Sequence, residues 1–434
     1  MITALSISAQ SKLNLSLDDA IHMAMQNNIT YNLKKTETQV AKQKIISTQM
    51  ANIPDIYGTS NLQNNLIVAS TPVPAKMFNP NAADNEITPM KFGTNWTANM
   101  GINMQYDIFN PEKYNDTKKS KINLQIANVA EEIERINLAS LVSIDYGTSL
   151  IAKQQILLAS DDTSRMHALY SYMKAKHEEG KSTIEDLNQS LIDVNNAKAR
   201  WIEADNVYKK SIATLLNDMG IVASAKTIED TKLTNDLDEL LKQAQNNDLS
   251  DNKLALVNKK SELQIQSIET ELQSVQLKYL PTLSVSGFYG TNFFGNKLNL
   301  TDSNRWFGNS FIAVGIKIPI SNALHTDSET KINRLNVEKA RMELKNNMLL
   351  HDFNIVQYKQ DMESKRESFS IKQENIRLAN ESYEANAQSF KEGRLLHADL
   401  QKSHYAVIQA ETDYLQAIYD YFQAWINYKK SLAL

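Results

Sequence analysis

Two stretches of this chain are versions of each other. Residues 178–190 read EEGKSTIEDLNQS and residues 391–403 read KEGRLLHADLQKS. Glu179-Gly180, Asp186-Leu187 and Ser190 line up with Glu392-Gly393, Asp399-Leu400 and Ser403. Each stretch closes one helix-patterned run and opens another. Self-similarity at a fixed spacing, here about 210–215 residues, means that one structural unit is used twice. The chain is therefore read as two like halves, 15–225 and 226–434, behind a short N-terminal tail, 1–14.

Both halves run helix, strand, strand, long helix, turn, helix. In the first, Leu17 to Asn52 is helical, with Ser16 as cap and Asp18-Asp19 in the first turn, where acids suit the positive end of the helix dipole. Pro54 ends it. Strands are expected at about 55–68 and 95–109, with a proline-rich surface loop over 69–94 between them. Pro111 then opens a helix at a position where its missing donor is harmless. That helix reaches Gly180, and another runs from about Ser182 to Met219. In the second half, Asp238 to Leu280 is helical and stops at Pro281. Strands follow at about 282–292 and 305–320, then a helix from about Asp327 to Lys391 and a last helix to Ala433. AMQNN at 24–28 and AQNN at 244–247 begin the two halves alike.

The best strand signal is WTANMGINMQYDIF, Trp96 to Phe109. Trp96, Ala98, Met100, Ile102, Met104, Tyr106 and Ile108 alternate with small or polar residues, and period two sends alternate side chains to opposite faces. One apolar face, one wet face and aromatics near the ends suit an outer-membrane barrel strand. A half-buried soluble strand also alternates, but the rest of the chain is long polar helix with no conventional core to cover. Trp96, Tyr106, Phe109, Tyr289, Trp306 and Phe311, with Phe293, Phe294 and Phe307, are candidates for interfacial girdles. Core packing is the competing role. Four strands cannot close a bacterial barrel, and an open edge is forbidden in lipid. Other copies must complete the sheet: two give eight strands and three give twelve.

The helices fit a tube. Met348, Ile355, Met362, Phe369, Ile376, Tyr383 and Phe390 recur every seven residues, the period of a left-handed supercoil. At 1.5 Å per residue the long helices span roughly 100 Å and the short ones roughly 55 Å, so two short helices end to end match one long one. An elongated solid coiled coil is the alternative.

Composition removes other classes. The net charge is −4, so no basic surface points to nucleic acid. No apolar run approaches the roughly 18 residues of a membrane-spanning helix. With 0 cysteines there are no disulfides and no thiolate sites. MITALSISAQ reads as the tail of a secretory signal cleaved near Ala9. The histidines show no metal-ligand spacing, and His397 and His404 are expected to be solvated near the second turn. Asp161-Asp162 and Glu178-Glu179 are adjacent, so on a helix they diverge. Nucleophile-elbow, phosphate-loop and dinucleotide motifs are missing. No catalytic, cofactor or metal residue is assigned.

These features together resemble the TolC family of outer-membrane efflux proteins. The residues carrying the resemblance are LDDAIHMAMQNN (17–28), YLPTLSVSGFYG (279–290), GIKIPI (315–320) and the two G-x5-D-L turns at Gly180 and Gly393. The resemblance implies a mainly α protein with a membrane β-barrel part: a homotrimeric twelve-stranded β-barrel continued by a twelve-helix α-barrel tunnel. It implies an exit duct in the outer membrane of a Gram-negative-type bacterium, with most of the mass in the periplasm, serving tripartite efflux or type I secretion. The partners implied are a periplasmic adaptor, an inner-membrane pump of RND, ABC or MFS type, and outer-membrane lipid. Gly180, Lys181, Gly393, Arg394 and Leu395 fall where the family's tips meet the adaptor. Asp399 and Asp186 fall at its narrow entrance. Phe390 stands where relatives have a latching tyrosine, and Arg394 is adjacent to its glycine rather than two residues on. Gln401 and Lys402 stand where some relatives have a second acid. The functional alternative is a periplasmic coiled-coil scaffold or adaptor that never enters a membrane, and the charges near the turns then read as ordinary solvated helix ends.

Overall fold

The computed structural model describes residues 13–246, 255–320 and 322–434. In chain order the elements begin with β1 (Leu13–Leu15), α1 (Leu17–Asn27), α2 (Ile29–Met50), β2 (Asp55–Asn64), β3 (Ser70–Pro74), β4 (Ile87–Lys91) and β5 (Trp96–Phe109). Then come α3 (Pro111–Tyr114), α4 (Asp116–Glu178), α5 (Ile184–Asp218), α6 (Ala225–Asp230) and β6 (Thr231–Leu233). The rest is α7 (Leu237–Asn246), α8 (Leu256–Leu277), β7 (Thr282–Gly295), β8 (Trp306–Lys317), α9 (Asn322–Lys391) and α10 (His397–Ala433). They sort into two compact units. One holds the described residues up to Val40, Gln125–Gln264 and Ala340–Leu434; the other holds Ala41–Leu124 and Ile265–Lys339.

The first unit is helical, and its core is aromatic. Tyr146 and Val142 of α4, Ile212 and Leu215 of α5, Phe369 of α9 and Ile418, Tyr421 and Phe422 of α10 are buried together. Phe369 stacks on Tyr421 with centroids 5.8 Å apart. Each fully buried large side chain contributes about 1.5–3 kcal/mol. An exposed ion pair such as Arg377–Glu374 is screened by water and adds little. The aromatic core therefore outweighs the charged surface. Gly147 lets α10 close on α4, because a Cβ there would sit 2.3 Å from the Phe422 ring.

The sequence undercounted the pieces of this unit. The helix expected over Leu17–Asn52 is two, α1 and α2. Asn28 breaks it with extended backbone at ψ 124. Its Oδ1 accepts from the Tyr31 N–H at 3.0 Å, and its Nδ2 donates to the Asp218 carbonyl at 2.8 Å. Asparagine is a strong N-cap, so a local alternative to the helix prevails. The helix expected over Asp238–Leu280 is α7 and α8, with residues 247–254, including the last Asn of AQNN, outside the described chain. The short parallel pair of β1 and β6 gave no periodic signal. Tyr146 ties it to α4, its hydroxyl donating to the Leu15 carbonyl at 2.8 Å. The signal-like residues 1–10 lie outside the described chain.

The second unit is built on an antiparallel sheet in the order β2-β5-β7-β8, two strands from each half of the sequence. β2 and β8 are its two edges. The 69–94 segment, expected to be irregular, contains an antiparallel hairpin of β3 and β4 with Pro72 opposite Pro89. Proline lacks the ladder donor, which hid these strands from a propensity reading, and a two-stranded pair tolerates it at its edges. The helical stretches of this unit are joined by Lys119–Glu271 and by Lys278–Glu329 at 2.8 Å.

Candidate functional site

The two turns are built alike. After α4, the Gly180 N–H donates to the His177 carbonyl and the Lys181 N–H to the Lys176 carbonyl, with Gly180 at φ 73. After α9, Gly393 donates to Phe390 and Arg394 to Ser389, with Gly393 at φ 76. Each satisfies the last carbonyls of its helix and needs a left-handed residue, which glycine supplies without a Cβ clash.

The helices that follow start differently. Thr183 caps α5, its Oγ1 accepting from the Asp186 N–H at 3.1 Å and donating to Asp186 Oδ2 at 2.9 Å. At α10 the cap position is Leu396, which offers no side-chain bond. Asp399 lies 3.3 Å from Lys402 Nζ. Asp186 stands 3.9 Å from His397 Nδ1. Arg394 pairs with Glu392, and Lys181 lies 2.8 Å from Glu179. Within one chain, then, Arg394 and Asp186 are committed elsewhere than to each other. Phe390 is buried with Met173, Tyr383, Leu400 and Val407, and Leu395 packs against this cluster. Its ring meets Tyr172 edge-on at 6.0 Å, and Lys176 Nζ lies 5.3 Å from its centroid. A phenylalanine there supplies apolar packing, where a hydroxyl would need a partner.

His397 and His404, expected to be solvated, are both buried, at 8% and 5% exposure. His404 anchors a charged cluster that the sequence did not disclose. Its Nε2 is 2.6 Å from Asp162 Oδ1. Arg200 donates to Asp162 Oδ2 at 2.7 Å. Arg165 reaches Glu411 at 3.4 Å and lies 5.8 Å over the Tyr383 ring. Burial pushes the Asp162 carboxyl up, but the bonds from His404 and Arg200 outweigh it and hold the group below its ordinary value. Burial pushes Glu411 up, and Arg165 only partly offsets it. Four helices, α4, α5, α9 and α10, contribute. Gln401 adds a further tie from α10 to α5, donating to Asp193 at 2.7 Å. The recoverable signal was His404 lying eleven residues after Gly393 in register with Val407 and Glu411, on the same helix face as the buried Leu400.

The sheet presents two unlike faces. Cross-strand partners share a face, and the register pairs Met100 with Ser60 and Thr291, Ile102 with Tyr289, and Tyr106 with Val285. Leu283 faces Ile316 and Val285 faces Val314. This face is apolar and open: Met100 is 52% exposed and Ile316 67%. Trp96, Tyr106, Tyr289 and Trp306 belong to it. A bulge between Asp107 and Phe109 returns Phe109 to it, opposite Leu283. Phe311 does not belong. It pairs with Phe288 on the opposite face, the rings stacked at 6.1 Å, so its grouping with the girdle rings is corrected. Strict alternation from Trp306 puts odd positions there. That second face is mostly amide and hydroxyl: Asn99 donates to Asn292 at 2.7 Å and Asn103 to Thr59 at 2.8 Å. Asp107, Asp55 and Lys317 lie toward one end.

The chain thus has duplicated long helical hairpins, and an antiparallel sheet with two strands from each half, apolar on one face and amide-lined on the other. Residues 20–220 match the family model described as outer membrane efflux protein, which bears out over that stretch the resemblance drawn from the sequence. No curated protein matches the chain in sequence. Among solved structures it shares its fold with a membrane protein from Pseudomonas aeruginosa at TM-score 0.74 and 12% identity, covering 98% of this chain and 91% of that one. The Campylobacter jejuni CmeC outer membrane channel matches at TM-score 0.72 and 14% identity, covering 99% and 90%. The outer membrane protein VceC of Vibrio cholerae matches at TM-score 0.71 and 11% identity, covering 96% and 95%. The first half of the chain is thus similar to that family, and the chain as a whole shares the fold of solved outer-membrane channels.

Proposed function

We propose that three copies of this chain form a passive exit duct, closing a twelve-stranded barrel and a twelve-helix tunnel that carries cargo from a periplasmic adaptor and an inner-membrane pump. The observation that carries this reading is the sheet. Its edge strands β2 and β8 have no further partner among the described residues, while one face is broadly apolar and exposed. In lipid an unpaired edge is not tolerated, so β8 of one copy pairs with β2 of the next. The exposed apolar face then meets acyl chains, with Trp96, Tyr106, Phe109, Tyr289 and Trp306 available to the interfaces, and the amide face lines water. Gly180, Lys181, Gly393, Arg394 and Leu395 form the adaptor-facing tips. Asp399 and Asp186, near those tips, supply carboxylates to the entrance, where a narrow low-dielectric wall focuses their field. Lys402 beside Asp399 moderates it. RND, ABC and MFS pumps all fit such a duct.

The test is negative-stain electron microscopy of detergent-extracted protein, paired with planar-bilayer recording. A hollow three-fold particle that conducts is the expected result. A solid rod obtained without detergent overturns the reading in favour of a periplasmic scaffold.

A further inference from the structure

Between α4, α5 and α10 lies a cavity of about 340 Å³, beside the charged cluster described above. Its volume is that of a small-molecule site. It is elongated, because its α10 wall runs from Ile408 to Tyr419, about three helical turns. The two ends differ. Toward one end stand Asp162, Arg200, Glu203 and Glu411; toward the other, Ile151, Val207, Leu415 and Tyr419.

The charged end is short of positive charge. Arg200 is spent on Asp162 at 2.7 Å. Arg165, behind the wall, is shared between Asp162 at 3.8 Å and Glu411 at 3.4 Å. Glu203 makes no ion pair among the described residues and stands exposed at the rim. Three carboxylates thus share two guanidinium groups and the His404 imidazole, and Asp162 takes both Arg200 and His404. Glu411 is the critical member: it is 9% exposed, and its only ion pair among the described residues, with Arg165, sits at the far limit of a hydrogen bond. A buried carboxylate so weakly paired is costly, and a cation entering the cavity removes that cost. Aliphatic walls and the Tyr419 ring at the other end suit an apolar or aromatic body, and an aromatic face also favours a nearby cation.

We propose that this cavity binds amphipathic organic cations, with the positive group against Glu411 and Glu203 and the apolar body against Leu415, Ile151 and Tyr419. The site lies within one helical unit of one chain, so it stands independently of the channel reading.

The experiment uses the full-length protein exchanged into amphipol and berberine, a planar organic cation whose fluorescence rises in an apolar site. Saturable binding is expected. Glu411→Gln keeps the side-chain volume and removes the charge, and it raises Kd at least tenfold. Thr412→Trp, from an exposed lining position, fills the cavity and abolishes binding. Circular dichroism and elution volume confirm that both variants are folded. Non-saturable uptake, or equal affinity in Glu411→Gln and the parent, overturns the proposal. So does binding that survives Thr412→Trp. Bilayer conductance of the same preparations reports separately on the channel, so loss of one reading leaves the other intact.

Discussion

His404 Nε2 and Asp162 Oδ1 lie 2.6 Å apart, joining α10 to α4 at a place where both side chains are almost wholly excluded from solvent. Asp162 also takes Arg200 from α5, so one carboxylate holds three helices. Its removal leaves Arg200 and Arg165 facing a buried gap. Asp162→Asn is expected to destabilise the protein by about 1–3 kcal/mol, because His404 and the partly exposed Arg200 and Arg165 lose their shared carboxylate. His404→Gln, which keeps a donor, costs less. Thermal unfolding followed by intrinsic fluorescence ranks the two. Equal, negligible shifts in both variants refute the clasp.

Asp145 gives a pH dependence of definite sign. Burial, and then the neighbouring Asp218 carboxyl, push it up to about 7. An unfolded aspartate titrates near ~3.9. Between these values the folded chain binds more protons than the unfolded one, so stability falls as pH rises through the window and the loss is complete above about pH 7. Asp145→Asn should unfold at a higher temperature than the parent at pH 8 and show a flatter profile from pH 5 to 8. A parent profile that rises with pH over that range, unaltered in the variant, contradicts the assignment. Asp162 shifts the other way and acts only at more acid pH.

Gly180 and Gly393 test backbone alone. A Cβ at either would meet nothing within 4 Å, yet both have positive φ. Alanine at either position should cost about 1–2 kcal/mol through the left-handed conformation and nothing through packing. Asparagine, which tolerates that region, should recover part of the loss. If alanine proves as stable as glycine, the turns are not held in this geometry.

The sheet faces predict an asymmetric response to charge. Met100→Arg or Ile316→Arg places a cation on the apolar face, at a cost of about 2–4 kcal/mol at the bilayer midplane. Asn99→Arg places it on the amide face, where water is available. Trimer yield in outer-membrane fractions should drop for the first two variants and hold for the third. Equal yields for all three mean that the apolar face does not meet lipid.

At the proposed entrance, Asp399→Ala should reduce cation preference in bilayer recordings, and Lys402→Ala should raise it. Reversal potentials that ignore both substitutions place these groups away from the conducting path.

The elements carrying long-range period were legible: the alternation of β5, the isoleucine face of β8, and the seven-residue seam of α9. That seam is unevenly buried, with Met348 at 49% exposure and Phe369 and Phe390 at 3% and 6%, which a repeat alone does not disclose. What escaped the sequence depends on single contacts. Asn28 breaks a helix because a carbonyl of α5 awaits its amide. Pro72 and Pro89 sit in a hairpin where the donor they lack is not required. His404 looked like any surface histidine, because its partner Asp162 is 242 residues away. The G-x5-D-L turns were legible as turns, but the commitment of Arg394 to Glu392 and of Asp186 to Thr183 is a matter of side-chain reach.

The cap at Thr183 has no counterpart at Leu396, and that difference sets a rhythm. A side-chain N-cap is worth about 1 kcal/mol, roughly a fivefold change in how often a first turn opens. The opening turn of α10 rests on the Asp399 and Leu400 amides bonded to the Leu396 carbonyl at 3.1 and 3.2 Å. Its amide hydrogens should exchange with solvent faster than those of Glu185 and Asp186. Two turns of like sequence and geometry are thus unequal in lability. In the proposed ring of three chains, firm and loose ends would alternate around the rim, so a docking protein that grips all six would meet a surface with three-fold, not six-fold, compliance.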